Sequence, residues 1–225
     1  MMKLFKHKTV TQLNECNMET LITTPLGIVG LSLYNDNLDI LSQTPQFSKC
    51  LLHGGQAYGW EEKNIIVEIV ISKPPIRIPE TMKIENSRGI LIRLFCKTDN
   101  MTLSFLTYWS KREWEDGGSD TGQFLQASTW NKGSMRLSIG TEDSEYLEQR
   151  MMNNWLMPIR KSDSYNLTGS NEDGLEIDLP NIRANELCQF HVFIAWGSSS
   201  DRYDASTWYA VDQDSKQILE FEDLL

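Results

Sequence analysis

No run of about eighteen apolar residues occurs in this chain, so no transmembrane helix is expected. The first residues, MMKLFKHKTVTQLNEC, carry basic side chains with no apolar stretch behind them, which predicts no secretory signal and a cytoplasmic protein. Cysteine is sparse: Cys16, Cys50, Cys96 and Cys188 stand alone, with no Cys-x-x-Cys pair. In a reducing cytosol such residues read as free thiols rather than disulfides or a zinc site. Histidine is sparser still. His7, His53 and His191 lie far from one another and from any cysteine at metal-ligand spacing, so no metal ligand is assigned. His191 alternates with core residues and reads as a satisfied strand histidine. Gly-x-Ser-x-Gly, His-Glu-x-x-His, P-loop and Gly-x-Gly-x-x-Gly patterns are all missing. The sequence therefore assigns no catalytic residue and no cofactor. It also holds no repeat of fixed period and no Pro/Gly/Ser linker, which predicts one domain over 1–225, with a possible boundary near 113–122.

Three kinds of short motif mislead. Ser119-Asp-Thr-Gly122 resembles the Asp-Thr-Gly of aspartic proteases, but those enzymes need two aspartates sharing a proton and only one copy is present. The acidic stretches at 170–178 and 212–220 alternate oxygen ligands as a calcium loop does. Lys216 falls where the third oxygen belongs, Gly174 comes too early, and no closing Glu is in register, so both read as solvated turns. Asn100-Met-Thr and Asn166-Leu-Thr fit the glycosylation pattern, which has no meaning in a cytoplasmic protein.

What the chain does have is β-branched and aromatic residues, with 40% hydrophobic residues and seven Trp to build a core. IIVEIVI (65–71) is too continuous for one wet face and predicts a strand covered on both sides. KPPIRIP follows as an edge or loop, since proline cannot donate to a ladder. RGILIRLFC and MTLSFLTYW read as a hairpin across KTDN. SMRLSIG reads as a further strand, and LEIDL, CQFHVFIAW and STWYAVD as the last three. Phe190, Val192, Ile194 and Trp196 alternate with Gln189 and His191, which predicts a half-buried antiparallel strand. Leu147, Met151 and Trp155 fall at helical spacing, so a helix is predicted over 144–157, with Pro158 to stop it. Residues 1–50 read as irregular, apart from the short strand GIVGLSLY. The fold class expected is mainly β, a β-sandwich-like domain with one short helix.

Charge divides the chain. Up to Arg112 there are thirteen Lys and Arg against ten Asp and Glu, a net of +3. From Glu113 onward eight basic residues face twenty-one acidic ones, a net of −13. That balance argues against direct nucleic-acid binding, because phosphates are held by Lys and Arg. It suits either a basic protein partner or simple solubility. Two predicted loops combine acids with large aromatics, the residue types that dominate interface energetics. YWSKREWEDGGSD (108–120) holds Glu113, Trp114, Glu115, Asp116 and Asp120. WGSSSDRYDASTWY (196–209) holds Asp201, Tyr203, Asp204 and Trp208. Either is equally readable as a β-connection with its rings folded inward.

A third candidate surface lies in GQAYGWEEKNIIVEI. An extended chain puts Gln56, Tyr58 and Trp60 on one side, with Ala57 and Gly59 on the other. These rings either pack over the end of the sandwich or form a platform beside Glu61 and Glu62. The pattern Gln-small-aromatic-x-Trp-x-Glu ahead of an apolar strand resembles the competence-protein J family, small bacterial inhibitors of a DNA-entry nuclease. RGILIRLFCKTDNMTLSF resembles that family's central strands, and LEIDLPNIRANELCQFHVFIAW its closing pattern. The similarity covers 54–106 and 174–196 and leaves out the first fifty residues, 106–173 and STWYAVD. It implies a protein that binds and blocks another protein, as the immunity proteins of bacterial toxin–antitoxin systems also do. The expectation is a non-catalytic nuclease inhibitor or immunity protein with a basic partner and no membrane contact. The alternatives are a β-sandwich enzyme or ligand-binding domain with an unmarked polar cleft, or an assembly component.

Overall fold

The computed structural model describes residues 20–156, 166–171, 173–199, 201 and 204–225. Its strands, in chain order, begin with β1 (Leu21–Thr24), β2 (Gly27–Asn35) and β3 (Leu38–Asp39). A meander follows, of β4 (Phe47–Cys50), β5 (Gln56–Glu61), β6 (Ile65–Ser72) and β7 (Asn86–Cys96). Next come β8 (Met101–Arg112), β9 (Asp116–Ser119), β10 (Leu125–Lys132) and β11 (Met135–Glu142), then the helix α1 (Ser144–Met151). The chain continues through β12 (Thr168–Asn171), β13 (Gly174–Ile182), β14 (Leu187–Ser198), and the helices α2 (Ser206–Val211) and α3 (Ser215–Phe221). The fold is mainly β, as expected. One sheet has six strands in the order β1-β2-β8-β13-β12, with β3 added to β2; the other has eight, in the order β4-β5-β6-β7-β14-β11-β10-β9. All their pairings are antiparallel.

The two sheets face each other across a core that alternation along each strand supplies. Leu31 and Leu33 of β2, Leu103 and Phe105 of β8, and Ile177 and Leu179 of β13 meet Trp60, Val67, Ile92, Phe190, Val192 and Ile194 of the larger sheet. The rings of Phe105 and Phe190 meet edge to face, with centroids 5.4 Å apart. A second, smaller core lies on the outer face of the eight-stranded sheet. There Ala57, Val70, Leu91, Ala127, Phe193 and Ala195 are covered by Ala210 and Val211 of α2 and Ile218 of α3. Glu68 also points to that outer face, buried and bridged to Arg93 at 2.9 Å.

Several expectations are corrected. β7 and β8 are not a hairpin but lie in different sheets. Cys96 and Met101 both face the shared core, so the intervening residues arch over it, with Asn100 at φ 62°. STWYAVD is not a strand but contains α2: Thr207, Ala210 and Val211 form one buried helical face. That three-position stripe lets β-prone residues dock as a helix on an existing sheet. DQDSKQILE is likewise a helix start, with Asp214 accepting from the Lys216 N–H at 2.7 Å. β14 is covered on both faces, not half-buried. Residues 21–50 hold four strands: β2 contains the expected GIVGLSLY, while β1, β3 and β4, of two to four residues each, lack an apolar run that would mark them. Residues 113–122 carry the chain from the six-stranded to the eight-stranded sheet and include β9.

The predicted helix begins at its cap, where Asp143 accepts from the Tyr146 N–H at 2.7 Å. It is α-helical to Met151, and a 3₁₀ turn then runs to Asn154. Leu147 and Met151 are buried as their spacing predicts, but the helix stops short of 157: Trp155 is buried as extended chain in a bridge to Ile182; Pro158 lies outside the described residues. No helix among the described residues is long and apolar enough to cross a membrane. Cys50, Cys96 and Cys188 are free thiols, and burial pushes those of Cys96 and Cys188 up to about 12. Cys16 lies outside the described residues.

Candidate functional site

Sheet order decides which of the predicted site residues meet. Tyr58 and Trp60 point into the inter-sheet core and are buried, with Trp60 fully so. The Trp60 indole N–H donates to the Gln43 carbonyl at 2.9 Å. These rings pack over the sandwich and are no platform for a partner, which corrects their placing on a recognition surface. On the opposite face of β5, the ring of Phe47 occupies the space that a Cβ on Gly59 would fill. Glu61 and Glu62 close the turn into β6. Lys97 Nζ meets Glu61 Oε1 at 2.8 Å and the Glu62 carbonyl at 3.1 Å. They stand at the end of the larger sheet where Ile65 pairs with Cys96, and Leu187 with Phe95.

The other two segments meet at the opposite end. β9 pairs with β10 (Asp116 opposite Asn131), β11 lies next, and Met135 of β11 pairs with Ser198 at the end of β14. This register brings 113–120 and 196–208, far apart in sequence, onto one surface. The Trp208 indole N–H donates to the Asp120 carbonyl at 2.7 Å, and the Trp208 ring lies against Gly122. Two adjoining hollows result. One, of ≈ 340 Å³, is lined by Asp120, Thr121, Arg136, Asp204 and Trp208. The other, of ≈ 650 Å³, is lined by Glu115, Asp116, Asn131, Arg136 and Asp201.

Arg136 is the shared wall. Its Nε donates to Asn131 Oδ1 at 3.0 Å, and its Nη1 donates to the Asp204 carbonyl. The guanidinium thereby ties β10, β11 and the start of α2 into one rigid corner. Partial burial raises the Asp204 carboxyl, but the Ser206 hydroxyl and N–H, Ser199 and Arg136 outweigh it and hold it below its ordinary value. Lys111 and Lys132 reach Glu113 at 2.6 and 3.1 Å, and the Lys111 hydrogen bond leads in holding that carboxyl low. Glu115, Asp116, Asp120 and Asp201 are exposed around the corner. Tyr203 lies outside the described residues.

Trp114, expected as an anchor for a partner, turns inward instead. It is half-buried against Trp109 and Trp130, with centroid separations of 6.4 and 6.3 Å. The Arg112 guanidinium lies 3.6 Å from its ring centroid, a close cation–π contact that shields the remaining face. The tryptophan cluster thus stiffens the floor under β9. Gly117 is required there, because a Cβ would stand 2.1 Å from the Trp130 ring. β9 is fully exposed and ends the larger sheet, so one side of its backbone pairs with no strand among the described residues.

Sequence reasoning missed a third site, on the outer face below α2 and α3. A cavity of ≈ 530 Å³ there is lined by Phe124, Glu142, Tyr146, His191, Asp212 and Gln217, among others. The only signal in the sequence was a histidine alternating with core residues. Among the described residues, no three His, Cys, Asp or Glu side chains are grouped to hold a metal ion.

No protein-family model matches the chain, and no curated protein matches it. Among solved structures it is similar to a putative kojibiose phosphorylase from human microbiome, at 9% identity with a TM-score of 0.44. That match covers 86% of this chain and spans 24% of the phosphorylase.

Proposed function

We propose that the chain is a non-catalytic binding protein whose recognition surface is the acidic corner formed by β9, the β10–β11 turn and the start of α2. The observation that carries this reading is the convergence of two distant segments, 113–120 and 196–208, around Arg136. Four exposed carboxylates, on Glu115, Asp116, Asp120 and Asp201, ring that corner. Arg136 is the one basic side chain lining its two hollows among the described residues, and it is already engaged. Such a surface suits a basic partner and speeds encounter through electrostatic steering. The open backbone of β9 gives an approaching strand main-chain groups to pair with.

The partner that fits best is a nuclease or toxin whose own cleft is lined by Lys and Arg, which the corner would occlude. The resemblance to nuclease inhibitors favours the same class. No cofactor is needed for such blocking.

The test uses the nuclease or toxin encoded beside this protein's reading frame. Replacing Glu113, Glu115, Asp116 and Asp120 together with their amides should slow association about tenfold at low salt, leaving dissociation nearly unchanged. The wild-type on-rate should fall as salt rises, because exposed charges lose reach beyond a Debye length of about 8 Å. A salt-independent on-rate that the amide variant leaves unchanged would remove this corner as the recognition surface. A neighbouring product that is neither nuclease nor toxin, or one the chain does not inhibit, would overturn the immunity reading.

A further inference from the structure

The cavity under α2 and α3 shares no residue with the acidic corner and has a different chemistry. Its floor is His191, which is 1% exposed, with neither ring nitrogen hydrogen-bonded among the described residues. The Gln213 backbone comes near the ring without completing a hydrogen bond. Buried polar groups are nearly always paired, so an open imidazole facing a cavity needs a reason.

The hydrogen-bonding balance around it is lopsided. Gln217 Nε2 donates to Gln213 Oε1 at 2.7 Å, which fixes the amide so that its own Oε1 faces away. That oxygen is buried and has no partner among the described residues. The Asp212 side chain, exposed at the edge of the cavity, also makes no hydrogen bond or ion pair among them, and partial burial raises its carboxyl. Asp214 is occupied in capping α3, and Glu142 is held by Arg150 at 2.5 Å. Three acceptors are therefore unused around one cavity: the Asp212 carboxylate, Gln217 Oε1 and one nitrogen of neutral His191; the one Lys or Arg lining it among the described residues, Arg77, is exposed and its backbone is tied to the Gln213 side chain.

The mouth is aromatic. Phe124 and Tyr146 are exposed at 54% and 41%, with centroids 5.9 Å apart. Phe124 holds a left-handed backbone (φ 65°), rare for so large a side chain, while Asp143 Oδ2 accepts its N–H at 3.1 Å. The ring is kept outside the core, at the rim.

We propose that this cavity binds a primary ammonium group. Such a group brings three donors and no acceptor, which matches three unused acceptors. Its alkyl stem would rest on Phe124 and Tyr146, whose ring faces also attract a cation. A neutral hydroxyl, with one donor, satisfies one acceptor at most. The chemistry has two sources, a free alkylamine or the lysine side chain of another protein. This site does not depend on the acidic corner being a recognition surface.

The test is a titration of the full chain at pH 8, followed through the His191 imidazole resonances by NMR and through heat by calorimetry. The probes are 1,5-diaminopentane, 1-pentanol and Nα-acetyl-lysine methylamide. The diamine should shift the His191 signals saturably, and 1-pentanol should not. Asp212→Asn should weaken the diamine about tenfold, the loss expected when a charge-assisted hydrogen bond goes. Should that variant not fold, Gln217→Leu in the same titration carries the test. Tighter binding of the lysine amide than of the diamine points to a protein side chain, and the reverse to a free amine; either supports the assignment. Equal binding of 1-pentanol, or no response of His191 to either amine, would overturn it.

Discussion

His191 places a titratable ring where a proton is costly. Burial is the main influence and holds the imidazole below its ordinary value; Arg150 acts the same way, and Glu142 and Asp214 oppose them. The folded protein therefore takes up this proton at lower pH than the unfolded chain does. Below about pH 6.5 the unfolded state binds more protons, so stability should fall as pH drops. The slope due to this ring is at most about 1.4 kcal/mol per pH unit. Denaturant unfolding of wild type and His191→Phe at pH 7.5, 6.5 and 6.0 checks it. Wild type should lose stability over that range and the variant should lose less. Equal slopes would mean that the ring takes its proton freely in the folded state. Glu68 works in the opposite sense: burial raises its carboxyl against the pull of Arg93, so its stabilising share grows on acidification through the carboxylate range.

At the scale of elements, the helical layer depends on small residues in the sheet beneath it. A Cβ on Gly140 would stand 2.7 Å from Val211 Cγ2, and one on Gly89 would meet Ile218 at 2.9 Å. Gly140→Ala should thus lift α2 and cost about 1–3 kcal/mol, the range for overpacking a filled core. Adding Val211→Ala should recover part of that loss, because it removes the atoms in conflict. Thermal unfolding of the two single variants and the double variant checks it; strict additivity would mean that α2 does not rest on Gly140. These contacts also explain what the sequence concealed. IIVEIVI and CQFHVFIAW were legible as strands because their β-branched and aromatic residues leave little alternative. α2 was not, since Ser-Thr-Trp-Tyr-Ala-Val has strand-like residues and becomes a helix only against a prepared surface. The small outer-face residues Ala57, Gly89, Ala127, Gly140 and Ala195 were the readable sign of such a layer. For the site, each acidic and aromatic segment was legible by itself. Their meeting around Arg136 depends on strand order, and the inward turn of Trp114 on Trp109 and Trp130, neither of which local composition specifies.

Across the whole molecule, the strand order separates neighbours in sequence and joins distant ones. β14, last of the strands in the chain, lies between β7 and β11 in the middle of the larger sheet. A growing chain leaving the ribosome therefore produces β4 to β7 as one half-sheet and β9 to β11 as another, with no strand between them. Each half keeps an unpaired inner border, β7 on one and β11 on the other, until residues 187–198 emerge. Such borders are templates for pairing with other chains. Nascent chains halted at residue 186 should be protease-sensitive and prone to aggregate, and those halted after residue 225 plus an added linker that clears the ribosome tunnel should not; protease-resistant chains at the earlier point would show that the halves stand alone. Long-range pairing of this kind is also slow. From the completion of β11 at residue 142 until residues 187–198 arrive, the molecule carries two adhesive borders, and its exposure to misassembly is set by the time the ribosome takes to deliver a single strand.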